Sequence, residues 1–134
     1  MEIFAIKKDI EVICVTAGKF PDGILAAHQK LRAEIAKAPD REYFGLSWGS
    51  KNGIVYKAAA SVLSQKELDL GLETYTIKKG AYIRELLPDY QNNIPQIKST
   101  FDKLLTDPRI DPEGYCMEAF ANEKDLWCMV KIRG

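Results

Sequence analysis

The chain has 134 residues, 46% of them hydrophobic and 28% charged, which fits one globular domain long enough to bury a core without staples. Nineteen basic residues balance nineteen acidic ones and are scattered along the chain, so neither nucleic acid nor an anionic membrane surface is an expected partner. No apolar run reaches transmembrane length, and Met1 to Lys8 lacks the basic-then-apolar pattern of a signal peptide, so a cytoplasmic protein is expected.

After a short N-terminal segment, residues 9–16 alternate, are rich in Ile and Val, and read as a strand. Gly18 and Pro21-Asp22-Gly23 break it, and a helix is predicted over 22–37, with Ile24, Ala27, Leu31 and Ile35 at helical spacing and a stop at Ala38-Pro39-Asp40. Strands are predicted at 43–49 and 54–63, joined by Ser50-Lys51-Asn52-Gly53, a strong hairpin turn. Residues 64–71 read as a polar connector, and 73–87 as extended chain with a bend at Gly80. Pro88-Asp89 ends that stretch. A second helix is predicted over 93–106, with Ile94, Ile97, Phe101, Leu104 and Leu105 on one face and Pro95 tolerated in its first turn. A loop with two prolines leads to two closing strands, 114–122 and 125–133.

The halves overlay. Ile13, Ile24, Ala27, Leu31 and Ile35 match Ile83, Ile94, Ile97, Phe101 and Leu105 at an offset of seventy; Tyr43, Trp48, Ile54 and Ala60 match Tyr115, Phe120, Leu126 and Ile132 at seventy-two. This reads as a duplicated βαββ unit, about 9–63 and 73–133, within a single domain spanning 1–134. One copy could hardly bury both its helix and its sheet. The expected fold is therefore α+β: two units related by a pseudo-twofold, one mostly antiparallel sheet, both helices on one face and a ligand groove on the other.

The stretch 114–122 holds the strongest candidate. Tyr115, Met117, Ala119 and Ala121 alternate with Cys116, Glu118 and Phe120, which sets a carboxylate into rows that otherwise read as buried. If Asn122-Glu123-Lys124-Asp125 closes a four-residue loop, Phe120 pairs with Trp127, Glu118 with Met129 and Cys116 with Lys131. Glu118 then shares the helix-free face with Phe120, Trp127 and Met129, a seat for a lipophilic, cationic small molecule. Two plainer readings stay open: Glu118 reaches solvent, or it pairs diagonally with Lys131. The overlay puts Leu46 at the position of Glu118, so the acid belongs to one half only, and it sets Trp48 opposite Phe120. Tyr56 and Tyr82 are further aromatic candidates, although simple pairing turns Tyr56 toward the helix. His28 reads as structural.

Cys14, Cys116 and Cys128 are widely spaced, and the assumed register sets Cys116 and Cys128 on opposite faces. Reduced thiols are expected. With a single histidine no metal-ligand spacing is present, and no nucleophile motif or phosphate loop stands out, so no metal or cofactor is expected.

The run from Leu72 to Tyr82, the stretch Phe101-Asp102-Lys103-Leu104-Leu105 and Gly114 to Phe120 resemble the GyrI-like family, the effector-binding domains attached to some AraC- and MerR-type regulators. Phe20-Pro21-Asp22-Gly23 and Ile54-Val55-Tyr56 are similar to its stand-alone members, and the resemblance runs from about Ile10 to Ile132. It implies two βαββ units around a cleft for hydrophobic, often cationic compounds, as in multidrug-binding and transcription-related sensors. Glu118 stands at the position of the family's ligand-contacting glutamate. Members often carry a tyrosine two residues later, where this chain has Phe120. The resemblance also implies two alternatives: a hydrolase of strained electrophiles in which Glu118 is the catalytic group and activates water, and a protein-binding role like that of the namesake gyrase inhibitors.

Overall fold

Period-two alternation lays down eight strands in the computed structural model, which describes residues 1–51 and 53–133. They are β1 (Glu2–Ile6), β2 (Ile10–Thr16), β3 (Tyr43–Ser50), β4 (Gly53–Ser61), β5 (Glu73–Ile77), β6 (Gly80–Leu87), β7 (Cys116–Phe120) and β8 (Leu126–Lys131). Among the described residues three α-helices accompany them: α1 (Ile24–Glu34), the single-turn α2 (Gln65–Leu68) and α3 (Ile94–Leu104). The fold is α+β, and the paired strands within each unit are antiparallel. The chain divides into two compact units, Asp9–Ile77 and Met1–Lys8 together with the chain from Lys78 onward.

In the unit Asp9–Ile77 the strand order is β3-β4-β2-β5. Ala27, Leu31 and Ile35, spaced by four residues along and just past α1, pack on Ile13, Tyr56, Ala58 and Ala60. Full burial of a side chain such as Leu31 contributes about 1.5–3 kcal/mol. The helix stops at Glu34, short of the predicted Lys37, because Ile35 is already extended and the carbonyl of Ala36 accepts a hydrogen bond from Arg41 Nη2. It starts two residues later than predicted, since Lys19 to Gly23 is taken up by a tight turn closed by the Gly23 amide on the Lys19 carbonyl. The β3–β4 ladder extends to Ser50 and Gly53, although Asn52 of the predicted turn lies outside the described residues.

The other unit has the order β7-β8-β6-β1. Leu104 of α3, with Ile97 and Phe101 beside it, covers Ile83, Leu126, Cys128 and Val130. Pro95 falls in the first turn, as expected. Two segments have more order than the sequence reading gave them. The N-terminal segment is β1, antiparallel to β6, and the connector 64–71 contains α2.

The units share one topology, with β3, β4, β2 and β5 answering to β7, β8, β6 and β1. The ladders correct the residue correspondence in its second half. Ile13 faces Ala60, which faces Tyr43; Ile83 faces Val130, which faces Cys116. Taking Ile13 with Ile83, Tyr43 therefore answers to Cys116 and not Tyr115, Ala60 to Val130 and not Ile132, and Glu118 to Gly45 and not Leu46.

Candidate functional site

The register of the last hairpin decides which side chains surround Glu118. Phe120 faces Leu126, Ala119 faces Trp127, Glu118 faces Cys128 and Met117 faces Met129. This is one residue away from the expected pairing. The loop is tighter than four residues because the Asn122 side-chain oxygen accepts from the amides of both Lys124 (2.7 Å) and Asp125 (2.8 Å), and Ala121 then bonds Asp125 directly. A slip of one turns every side chain on β8 to the other face.

Glu118 consequently lies on the face that packs against α3, with Cys116, Phe120, Leu126 and Cys128, and it is partly buried. Phe120 belongs to the cluster around Leu104, its ring 5.7 Å from that of Tyr90. Trp127 and Met129 point the other way, so the expected grouping of Glu118 and Phe120 with Trp127 and Met129 on one helix-free face does not form. Lys131, opposite Tyr82 on that other face, is not placed to be the diagonal partner of Glu118. The two cysteines, expected on opposite faces, share the face of Glu118. Burial, with the negative charge of Glu118 next in order, pushes Cys116 up to about 11 and Cys128 up to about 12, so both are inert thiols at neutral pH.

Trp127, Met129 and Tyr82 lie on the α3-free face of the same unit. The Trp127 ring carries the Arg84 guanidinium at 3.7 Å. Met129 is buried. Tyr82 is fully buried; its hydroxyl donates to the Lys78 carbonyl at 2.6 Å and lies 3.1 Å from the Tyr115 hydroxyl, which accepts from the Lys78 amide. Lys131 Nζ reaches over the Tyr82 ring at 5.9 Å, in space left by Gly80 (φ 137°), where a Cβ would lie 3.0 Å from it.

The remaining candidates belong to the unit Asp9–Ile77. Tyr56 faces α1, as simple pairing predicts, and its hydroxyl lies 2.8 Å from His28 Nε2. Burial, helped by Arg32, pulls His28 down to about 4, so the ring is neutral at physiological pH. Trp48 stacks on Tyr75, ring centroids 5.8 Å apart. Lys57 reaches over the Trp48 ring, donates to Thr16 Oγ1 at 2.8 Å and pairs with Glu73. A cleft of about 300 Å³ beside the first turn of α1, lined by Thr16, Lys19, Gly23 and Lys30 among others, contains none of the predicted site residues.

Sequence reasoning passed over Arg84, Glu2, Phe4, Lys57, Glu73 and Tyr75. The signal for four of them was the short alternation Glu2-Ile3-Phe4, which repeats in type as Glu73-Thr74-Tyr75 at the edge strand of the other unit. Among the described residues no helix is long and apolar enough to cross a membrane, and no group of three His, Cys, Asp or Glu side chains is gathered as metal ligands would be.

Protein-family models and curated proteins give no match to this sequence. Solved structures do share its fold. An integron cassette protein from the mobile metagenome of Vibrio cholerae superposes with a TM-score of 0.70 at 14% identity, over 98% of this chain and 95% of that one. SAV2435, solved bound to tetraphenylphosphonium, gives 0.57 at 9% identity over 97% and 93%. A hydrolase from Listeria innocua gives 0.57 at 10% identity over 98% and 92%.

Proposed function

We propose that this chain binds a hydrophobic small molecule carrying positive charge, and that Glu118 is the group that selects the charge. The observation that carries the reading is the placement of this carboxylate, partly buried amid Cys116, Phe120, Leu126 and Cys128, on a fold shared with a protein solved with a lipophilic cation. An ionised acid in such surroundings forgoes part of its hydration, and a bound cation offsets that cost. The Phe120 ring, two residues along the same face, offers its negative π-surface to the same charge. The proposed site is thus Glu118 with Phe120; Trp127, Met129 and Tyr82 lie on the other face.

Calorimetric titration with tetraphenylphosphonium tests it. Saturable binding is expected, at least tenfold tighter than that of neutral triphenylphosphine oxide. Equal affinities, or no binding by either, would remove the support for a cation site.

A second reading rests on the fold shared with the Listeria innocua hydrolase. Here Glu118 would take a proton from water as the oxygen attacks a strained carbon centre, the ring oxygen leaving as an alkoxide that is then protonated. Incubation with styrene oxide separates the two: turnover that disappears in Glu118→Gln marks an enzyme, and binding without turnover marks a receptor.

A further inference from the structure

We propose a second binding site on this chain, for an oxyanion head group attached to an apolar body, built around Arg84 on the α3-free face. It is separate from Glu118, whose side chain leaves β7 on the opposite face of the same unit.

The ladders assemble the site. Glu2 stands opposite Arg84 on β1 and Phe4 opposite Tyr82, while on β8 Met129 stands opposite Arg84 and Trp127 opposite Leu86. Arg84 thereby lies between two diagonal aromatic neighbours. Its guanidinium carbon is 3.9 Å from the centre of the Phe4 ring and 3.7 Å from that of Trp127. A guanidinium gripped by both faces is fixed in orientation, and its N–H groups all point outward in the plane.

Those edge donors are only partly used. Nε donates to Glu2 Oε1 at 3.0 Å, and neither Nη1 nor Nη2 meets an acceptor among the described residues. The Arg84 side chain is 19% exposed, so this end of the fork reaches water. Two cations in the same chain show the contrast. Arg41 spends both terminal nitrogens on the two oxygens of Glu67 and on two backbone carbonyls. Lys57 is engaged by Glu73, which occupies the edge-strand position answering to Glu2, and by Thr16. Arg84 alone of the three keeps a stacked, oriented pair of donor nitrogens directed away from its acid.

A carboxylate or phosphate accepts two parallel N–H groups from such a fork, and the side-chain ordering that binding would otherwise require has already occurred on folding. Phe4 and Leu86 are 37% and 41% exposed beside the fork and give an apolar shelf for the rest of the ligand. Glu2 opposes an incoming anion, but it is largely exposed and holds the Nε edge, where solvent and salt screen it.

The test uses a Trp48→Phe background, in which Trp127 is the remaining tryptophan of the two. Hexyl phosphate, hexanoate and neutral hexanol are titrated while Trp127 emission is followed. The expected result is a saturable change with the anions and none with hexanol, and the stronger anion identifies the head group. Arg84→Gln should weaken anion binding about ten- to a hundredfold. Arg84→Lys should fall between, because it keeps the charge and loses the fork. Glu2→Gln, which leaves Arg84 intact, should tighten binding several-fold, whereas a clamp serving only to fasten β1 would show no anion response for it to sharpen. No saturable response to either anion, an equal response to hexanol, or anion binding unaffected by Arg84→Gln overturns the proposal.

Discussion

Glu118 stands directly across the β7–β8 ladder from Cys128, and Cys128 in turn faces Glu85 on β6. A buried thiol therefore lies between two carboxylates, and both charges add to the burial that pushes Cys128 up to about 12. Lys103 reaches Glu85 at 2.7 Å, and its hydrogen bond holds that carboxyl below the usual range. Of the two acids, Glu118 is the one assigned here to a ligand.

The most buried ion pair among the described residues supports the fold rather than the site. Arg41, its side chain 1% exposed, donates to the Glu67 oxygens at 2.7 and 2.5 Å and so ties the α1–β3 loop and β4 to α2. The Arg41 hydrogen bond holds Glu67 down at about 2, against an ordinary 4.5. The depressed carboxyl contributes stability that is complete above about 4.5 and is lost as pH falls toward about 2. Arg41→Met strands the acid and should cost about 3–5 kcal/mol in denaturant unfolding. Glu67→Gln should be less stable at neutral pH and flatter through the acid window. An unchanged acid limb would show that the pair is not its source.

His28 makes a prediction in a higher window. It is the one histidine of the chain, so its imidazole signals in NMR are unambiguous, and they should titrate near 4 rather than 6.5. Because the folded state resists a proton that the unfolded chain takes up, stability should be complete above about 6.5 and decline as pH drops toward about 4. The decline should be on the order of 3 kcal/mol. His28→Gln should remove it. Titration near 6.5 would contradict the burial of this ring against Tyr56.

Much of this molecule was legible in its sequence. The apolar spacings Ala27-Leu31-Ile35 and Ile97-Phe101-Leu104 located both long helices, and alternation located the strands of each βαββ unit. The site was only half legible, because a face assignment depends on loop length to the residue. Asn122 could be read as a turn former, but not as a side chain that captures two amides and shortens the loop by one. That single residue separates Trp127 from Glu118. Arg84 was missed for a related reason: a five-residue edge strand at a chain terminus gives too short an alternation to register, and Phe4 and Glu2 acquire meaning only through pairing with β6.

The Lys57–Glu73 pair should respond asymmetrically to truncation. The Lys57 side chain is 11% exposed and that of Glu73 44%, so loss of the acid strands a nearly buried charge, whereas loss of the lysine leaves a carboxylate that can hydrate. Glu73→Ala should therefore cost about 2 kcal/mol, and Lys57→Met less than about 1 kcal/mol, since methionine fills the space without a charge. Equal losses, measured by urea unfolding, would mean that solvent reaches both partners alike.

In the proposed function Glu118 selects charge. Titrating tetraphenylphosphonium and neutral triphenylphosphine oxide into the wild type and Glu118→Gln tests it most directly, because the substitution keeps the shape and removes only the charge. A loss of about 2–4 kcal/mol, roughly thirty- to a thousandfold, is expected for the cation, with the neutral compound left within about twofold. Equal loss for both ligands, or none for either, would contradict it.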